Sequence, residues 1–145
     1  MTSQTPAGKL VSAFGDPDTM RAMYAPHVEW SLSASLNLPR PMKGIEAVSA
    51  FNREVWTTHY RPDCVVTILD ETGDGRVSAA RFLYRAHSNV TGTIYENEYT
   101  IFVRSGPDGI TEVFEGLDTA LIMEFLTGRP IGSTATTLPG AADAG

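Results

Sequence analysis

An α+β fold, in which helices cover one face of a curved antiparallel sheet, is predicted by three features of the sequence. Before Tyr60, apolar residues recur mainly at helical spacing; from Val65 onward, four runs rich in β-branched and aromatic residues alternate in character. Turn residues separate those runs, and helices and strands are grouped rather than interleaved, which is the pattern of an α+β domain.

The elements follow in order. Leu10, Val11 and Phe14 form a short apolar stripe that Gly15 ends, so the first helix lies before it. Asp16-Pro17 then supplies an N-cap and a proline at the first helical position. Met20, Met23 and Tyr24 are the expected buried side of this second helix, which Pro26 stops. Val28, Trp30 and Leu32 alternate as a strand, and the Leu-Pro-Arg-Pro stretch at 38–41 reads as a loop. Ile45, Val48, Phe51, Asn52 and Val55 recur at helical spacing, predicting one long helix from Gly44 to about Thr58. A meander follows: Val65 to Leu69, a turn at Gly73-Asp74-Gly75, Val77 to Ala86, a turn at Asn89 to Gly92, Ile94 to Arg104, and Ile110 to Leu117. Asp118 then caps a short closing helix with Leu121, Ile122 and Phe125 inward.

The chain has 145 residues, enough for one domain that hides roughly 70% of its unfolded surface. Its 42% apolar and 19% charged residues are a globular balance. Residues 7–127 are expected to form the single domain, with 1–6 and the Gly-, Ala-, Thr- and Pro-rich stretch 128–145 as flexible termini. Seventeen acidic residues against eleven basic ones give a net charge of −6, which disfavours nucleic acid and anionic membranes as partners. No apolar run reaches the roughly 18–20 residues of a membrane helix, and the first residues lack the order of a secretory signal, so a cytoplasmic protein is expected. Cys64 is the only cysteine, which excludes an intrachain disulfide and a thiolate zinc cluster, and the three histidines match no metal motif; no metal site is expected.

The last hairpin carries the chemistry. Pro107-Asp108-Gly109 predicts a turn that pairs Gly106 with Ile110. Counting outward, Val103 faces Val113, Ile101 faces Glu115 and Tyr99 faces Leu117, all on the side that also holds Asn97 and Tyr95. That side is the more apolar and should meet the helices, which makes Glu115 an interior carboxylate with a raised pKa and a candidate for proton transfer. Otherwise the register slips and Glu115 is solvated, or an inward arginine pairs with it. Arg81 and Arg85 share a face, where they balance Glu115 and the exposed glutamates or bind an acidic substrate group. His87 ends its strand at the rim of a would-be pocket, as an acid/base group or as a plain surface residue, whereas His27 and His59 read as surface residues. Trp30, Trp56, Tyr84, Tyr95 and Tyr99 line an aromatic pocket or fill an ordinary core. Asp118 is a helix cap or a ligand contact.

Five segments, MYAPHVEWSL, KGIEAVSAF, VSAARFLYRAH, GTIYENEY and PDGITEVFEGLD, together resemble the SnoaL-like branch of the ketosteroid-isomerase and nuclear-transport-factor-2-like superfamily over residues 7–127. The resemblance implies a cone-shaped fold with a pocket between the curved sheet and the helices on its concave face, a homodimer, and cofactor-free chemistry on a small apolar organic substrate. By the same resemblance, the final-strand carboxylate of the cyclases falls on Glu115 and their strand-end histidine on His87. The ketosteroid-isomerase base would fall near Leu32, where no acid stands, so steroid isomerisation is not implied, and Arg76-Val77-Ser78 and Arg81-Phe82-Leu83 both lack the acid of the Arg-x-Asp pair of the epoxide hydrolases. The expected function is therefore acid/base proton transfer by Glu115 and His87 on a carbonyl or polyketide-like compound, giving cyclisation, isomerisation or dehydration. Tyr99 and Asn97 would hold the developing enolate, with Trp30 and Tyr84 against the substrate. The alternative is a non-catalytic small-molecule-binding protein using the same pocket. Phe102 and Phe114, paired on the outer face, predict dimerisation through that face.

Overall fold

A computed structural model describes residues 3–127. The expected flexible tail 128–145 and the side chain of Phe125 lie outside the described residues. Helices α1 (Pro6–Ser12) and α2 (Pro17–Arg21) precede strand β1 (Tyr24–Leu32); β2 (Met42–Lys43) and α3 (Ile45–Glu54) follow. Strands β3 (Val65–Gly73), β4 (Val77–His87), β5 (Ile94–Gly106) and β6 (Gly109–Leu117) complete one curved, unclosed six-stranded sheet in the order β2-β1-β6-β5-β4-β3, and α4 (Thr119–Thr127) closes the domain. This is the predicted α+β architecture, with one pair, β1 and β6, running parallel.

Both N-terminal helices start where side chains can hold them. Thr5 accepts from Gly8 N at the start of α1, and Asp16 accepts from Thr19 N at the start of α2. Thr5 and Pro6 belong to the segment expected to be loose, yet Glu71 of β3 accepts hydrogen bonds from Thr5 N (2.8 Å) and Thr5 Oγ1 (2.6 Å), clasping α1 to the sheet. Helix α2 stops at Arg21, earlier than expected. Ala25 precedes a proline and is pushed toward extended backbone, and Tyr24 already pairs with Ile110 as part of β1. Pro26 is accommodated within β1 where the pairing with β6 shifts between Tyr24 and Glu29. The short strand β2, which follows the 38–41 loop and for which the sequence predicts no element, adds only the pairs Trp30–Met42 and Glu29–Lys43.

The predicted single helix Gly44–Thr58 is two segments. Regular α-helix ends at Glu54, and Val55–His59 is one π turn closed by Tyr60 N donating to Val55 O at 2.9 Å. Such turns widen a helix locally and swing its side chains.

In the last hairpin the turn is shorter than expected: Gly106 pairs with Gly109 and Ser105 with Ile110, across the two residues Pro107-Asp108. A bulge at Thr111 then restores the missing residue, so Arg104–Glu112, Val103–Val113, Ile101–Glu115 and Tyr99–Leu117 pair in the register counted from the sequence. Tyr95, Asn97, Tyr99, Ile101 and Val103 are buried on the inner face, against Phe82, Tyr84, Trp30 and the helix residues Leu10, Val11, Met20 and Val48. Among the described residues no helix is long and apolar enough to cross a membrane.

Gly109 has φ +122°, and a Cβ there would come within 2.7 Å of Met23 O and 2.9 Å of Ala25 N. Gly109→Ala should therefore destabilise the domain by about 1–3 kcal/mol, from the strained backbone and the displaced β1 start. The shift of the urea unfolding midpoint measures it; an unchanged midpoint would contradict this account of the turn.

Candidate active site

A cavity of about 250 Å³ opens between the inner face of the sheet and the α3–π-turn segment. It lies at the lower end of small-molecule sites, which run from roughly 300 to 1,000 Å³. Its wall is mostly aromatic and aliphatic, with Trp30, Phe51, Trp56, Tyr84 and Tyr99 among the rings and Glu115 as its one buried carboxylate.

Glu115 is carried inward by strand alternation: Val113 and Glu115 face the core, and Phe114 between them faces out. The carboxylate is only 7% exposed, flanked by Ile101 on β5 and Leu32 on β1. Burial raises its pKa to about 7, and the Trp30 indole N–H beside it offsets part of the rise. That N–H completes no hydrogen bond of good geometry. Among the described residues no cation pairs with Glu115. The arginines of the sheet are engaged on the opposite face, Arg81 with Asp70 and Glu98, Arg85 with Glu96, and Arg104 with Glu112. Of the alternatives left open for Arg81 and Arg85, the exposed acids are the partners.

Tyrosine hydroxyls surround the carboxylate. Asn97 Nδ2 donates to Tyr95 Oη at 2.7 Å, and the Tyr95 and Tyr99 hydroxyls bond each other at 2.7 Å. Asn97 fills an acceptor site on Tyr95, and the Tyr60 hydroxyl joins Tyr95 and Tyr99 in the same buried cluster beside Glu115. Burial pushes the Tyr95 phenol up to about 12, with the Tyr99 and Asn97 hydrogen bonds opposing the rise. Burial raises Tyr99 and Tyr24 further, and the Glu115 charge adds to both. These phenols stay neutral donors at physiological pH. Tyr24 donates to Asn52 Oδ1 at 2.6 Å, and Trp56 Nε1 donates to Tyr84 Oη at 2.8 Å, which fixes two further walls.

Five of the residues singled out from the sequence, Trp30, Trp56, Tyr84, Tyr99 and Glu115, meet at this cavity. Asn97 is buried one layer behind it, bonded to Tyr95 and to Asp118 O (3.0 Å), so it positions Tyr95 instead of meeting a ligand. Asp118 does not line the cavity; its side chain caps α4 by accepting from Leu121 N at 3.3 Å. His87 is a correction too. Phe82, Tyr84 and Ala86 face inward, so His87, one residue on, is exposed on the outer face. His59, read from the sequence as a surface residue, lines the cavity in its place, and its buried Nδ1 has no hydrogen-bond partner among the described residues. The signal was present: His59 continues the Asn52–Val55 stripe at helical spacing, one residue past the predicted helix end. Among the described residues no group of three His, Cys, Asp or Glu side chains could hold a metal ion.

The raised carboxyl makes stability depend on pH. Between its ordinary value of 4.5 and about 7, the folded protein holds a proton that the unfolded chain releases, so stability falls as pH rises through that window. Relative to the parent, Glu115→Gln should gain about 3 kcal/mol in going from pH 4 to pH 8. Urea unfolding at the two pH values measures the gain, and equal differences at both would show that Glu115 titrates as a solvated acid.

The model of the family described as SnoaL-like domain matches residues 11–113. Among solved structures, one from Jannaschia sp., provisionally assigned as a SnoaL-like polyketide cyclase, is similar at 14% identity and TM-score 0.68, over 84% of this chain and 91% of that one. A provisionally assigned isomerase from Bacillus subtilis is similar at 14% identity and TM-score 0.69, over 86% and 94%. A nuclear-transport-factor-2-like protein of unknown function from Burkholderia pseudomallei is similar at 21% identity and TM-score 0.69, over 82% and 92%. None of the curated proteins compared matches the chain. At these identities the solved structures bear on the fold alone, and the family match spans most of the sheet and its helical cover: the chain belongs to the SnoaL-like family.

Proposed function

We propose that the pocket catalyses acid/base proton transfer, without a cofactor, on a small apolar carbonyl or polyketide-like compound. The observation that carries this reading is Glu115, a carboxylate on the apolar inner face and in the wall of a cavity, titrating near neutrality. A base is most useful when its pKa lies near the working pH. In its ionised form Glu115 removes a proton from the carbon next to the carbonyl, and the electron pair moves onto the carbonyl oxygen. Tyr99, held by Tyr95 and Asn97, donates a hydrogen bond to that oxygen. Return of the proton to another carbon gives isomerisation, loss of a β-hydroxyl gives dehydration, and attack of the enolate on a second carbonyl gives cyclisation. His59 takes the proton-returning role expected of His87, because it is the histidine of the cavity wall. The provisional cyclase and isomerase assignments of the similar structures fit this class of reaction.

Exchange of α-hydrogens for deuterium in D₂O, followed by NMR over a panel of small cyclic and aromatic ketones, tests the reading whichever product the full reaction forms. Glu115→Gln should slow exchange by about 10²–10⁴-fold with its circular dichroism unchanged. The rate should rise with pH through about 7 as the base ionises. His59→Gln should slow exchange where His87→Gln does not. Full exchange by Glu115→Gln would overturn the assignment, and ligand binding with no exchange by the parent would leave the pocket a binding site only.

We also propose a homodimer through the outer face of the sheet. Phe102 and Phe114 pair across β5 and β6 there, Phe114 is 41% exposed, and the Arg104 guanidinium lies 5.3 Å over the Phe102 ring. An exposed apolar pair on the outer face of the sheet is a surface that a second copy would cover. Sedimentation at micromolar concentration should give twice the 15.7 kDa chain mass, falling to that mass for Phe114→Glu. A monomeric parent would defeat the dimer.

A further inference from the structure

Charge complementarity inside the cavity points to a feature of the ligand. Among the described residues its wall holds two carboxylates, the buried Glu115 and the exposed Glu54, one imidazole, His59, and no lysine or arginine. The nearest arginines in the sheet are spent on acids of the outer face. An ionised carboxylate taken out of water needs a cation or hydrogen bonds to offset its lost hydration; among the described residues Glu115 has no cation, and the donor beside it is the Trp30 indole N–H, which stands outside good hydrogen-bond geometry.

The rings that line the cavity lie in several planes, with Tyr99 stacked on Phe82 on one side. Trp30 and Phe51 are inclined at 56°, Tyr84 and Tyr99 at 69°, with centroids 6.3 Å and 5.7 Å apart. Trp56 completes this wall, held by its bond to Tyr84. Ring faces carry the negative end of the aromatic quadrupole and attract an organic cation, most strongly where water is excluded. Non-parallel rings and one carboxylate in the wall of a single cavity therefore complement a positive charge clothed in alkyl groups, and reject an anion.

We propose that the ligand of this pocket is a small organic ammonium compound, its cationic nitrogen seated among the rings and neutralised by Glu115. The volume of about 250 Å³ limits it to a compact molecule. The proposal rests on reading the cavity as the ligand site and not on proton transfer. A small amino ketone would satisfy both readings, because its ammonium group also acidifies the neighbouring C–H.

An isosteric series titrated by NMR at pH 8 and low salt is the test: choline, its uncharged carbon analogue 3,3-dimethyl-1-butanol, and the anion 3,3-dimethylbutanoate. Choline should bind at least about tenfold more tightly than the alcohol, and the anion should not bind. Glu115→Gln should lose most of the choline preference and keep the alcohol affinity, which also shows that the variant pocket is formed. Equal affinity of the parent for choline and the alcohol, no binding of choline at millimolar concentration, or a preference unchanged in Glu115→Gln would each overturn the proposal. A choline preference without ketone exchange would defeat the proton-transfer reading alone, and exchange without the preference would defeat this one alone.

Discussion

Holding a carboxylate on the apolar side of a sheet is the constraint to which the rest of this site answers. Glu115 is inward because the β5–β6 hairpin pairs Ile101 with Glu115, Val103 with Val113 and Tyr99 with Leu117. A slip of one residue would reverse every side chain, expose Glu115 and bury Phe114. Buried Val103, Ile101 and Val113 outweigh the cost of one dehydrated carboxyl, so the hairpin settles in a register that leaves an acid where an aliphatic residue would be more stable. The same two-residue period carries Arg81, Arg85 and Arg104 to the outer face, where the alternate glutamates stand. Alternation alone thus separates the inner acid from every arginine of its sheet.

Polar groups near that acid are arranged as neutral donors. The tyrosines bring phenolic hydroxyls into an apolar layer, and each needs a partner there. Asn97 supplies the first link, Tyr95 the second, and Tyr99 ends the chain at the cavity. Tyr24 is satisfied by Asn52, and Tyr84 by the Trp56 indole. The result is a rigid aromatic wall with few uncommitted polar atoms, Trp30 Nε1 and His59 Nδ1 among them. Both belong to residues that line the cavity.

The helical cover shapes the opening. Helix α1 is tied to β3 by Thr5 and Glu71, and it lays Leu10 and Val11 on the sheet away from the cavity wall. Helix α3 would continue straight over the sheet if it stayed α-helical to its end. The π turn at Val55–His59 instead brings Trp56, His59 and Tyr60 together on the cavity wall, within a single turn of chain.

Much of the sheet was legible in the sequence, since strand alternation is local. The side chains of Val77–Ala86, Ile94–Arg104 and Ile110–Leu117 divide between two faces by parity, and the more apolar face must be the covered one. That determined the inward position of Glu115, Tyr99 and Tyr84, and, read strictly, the outward position of His87; the same alternation in Val28, Trp30 and Leu32 turned Trp30 inward. Asp118 was legible as a cap for the same reason, because capping is settled within a few residues of chain. Tertiary structure decided what local period cannot reach. Tyr24 looked helical by spacing and became strand because β6 offered Ile110 as a partner. The parallel pairing of β1 with β6 joins segments some eighty residues apart in the chain, and the π turn responds to the packing of α3 over the sheet. His59 extends the stripe legible at Asn52 and Val55, but its place on the cavity wall was decided by packing, a cooperative property of the whole core.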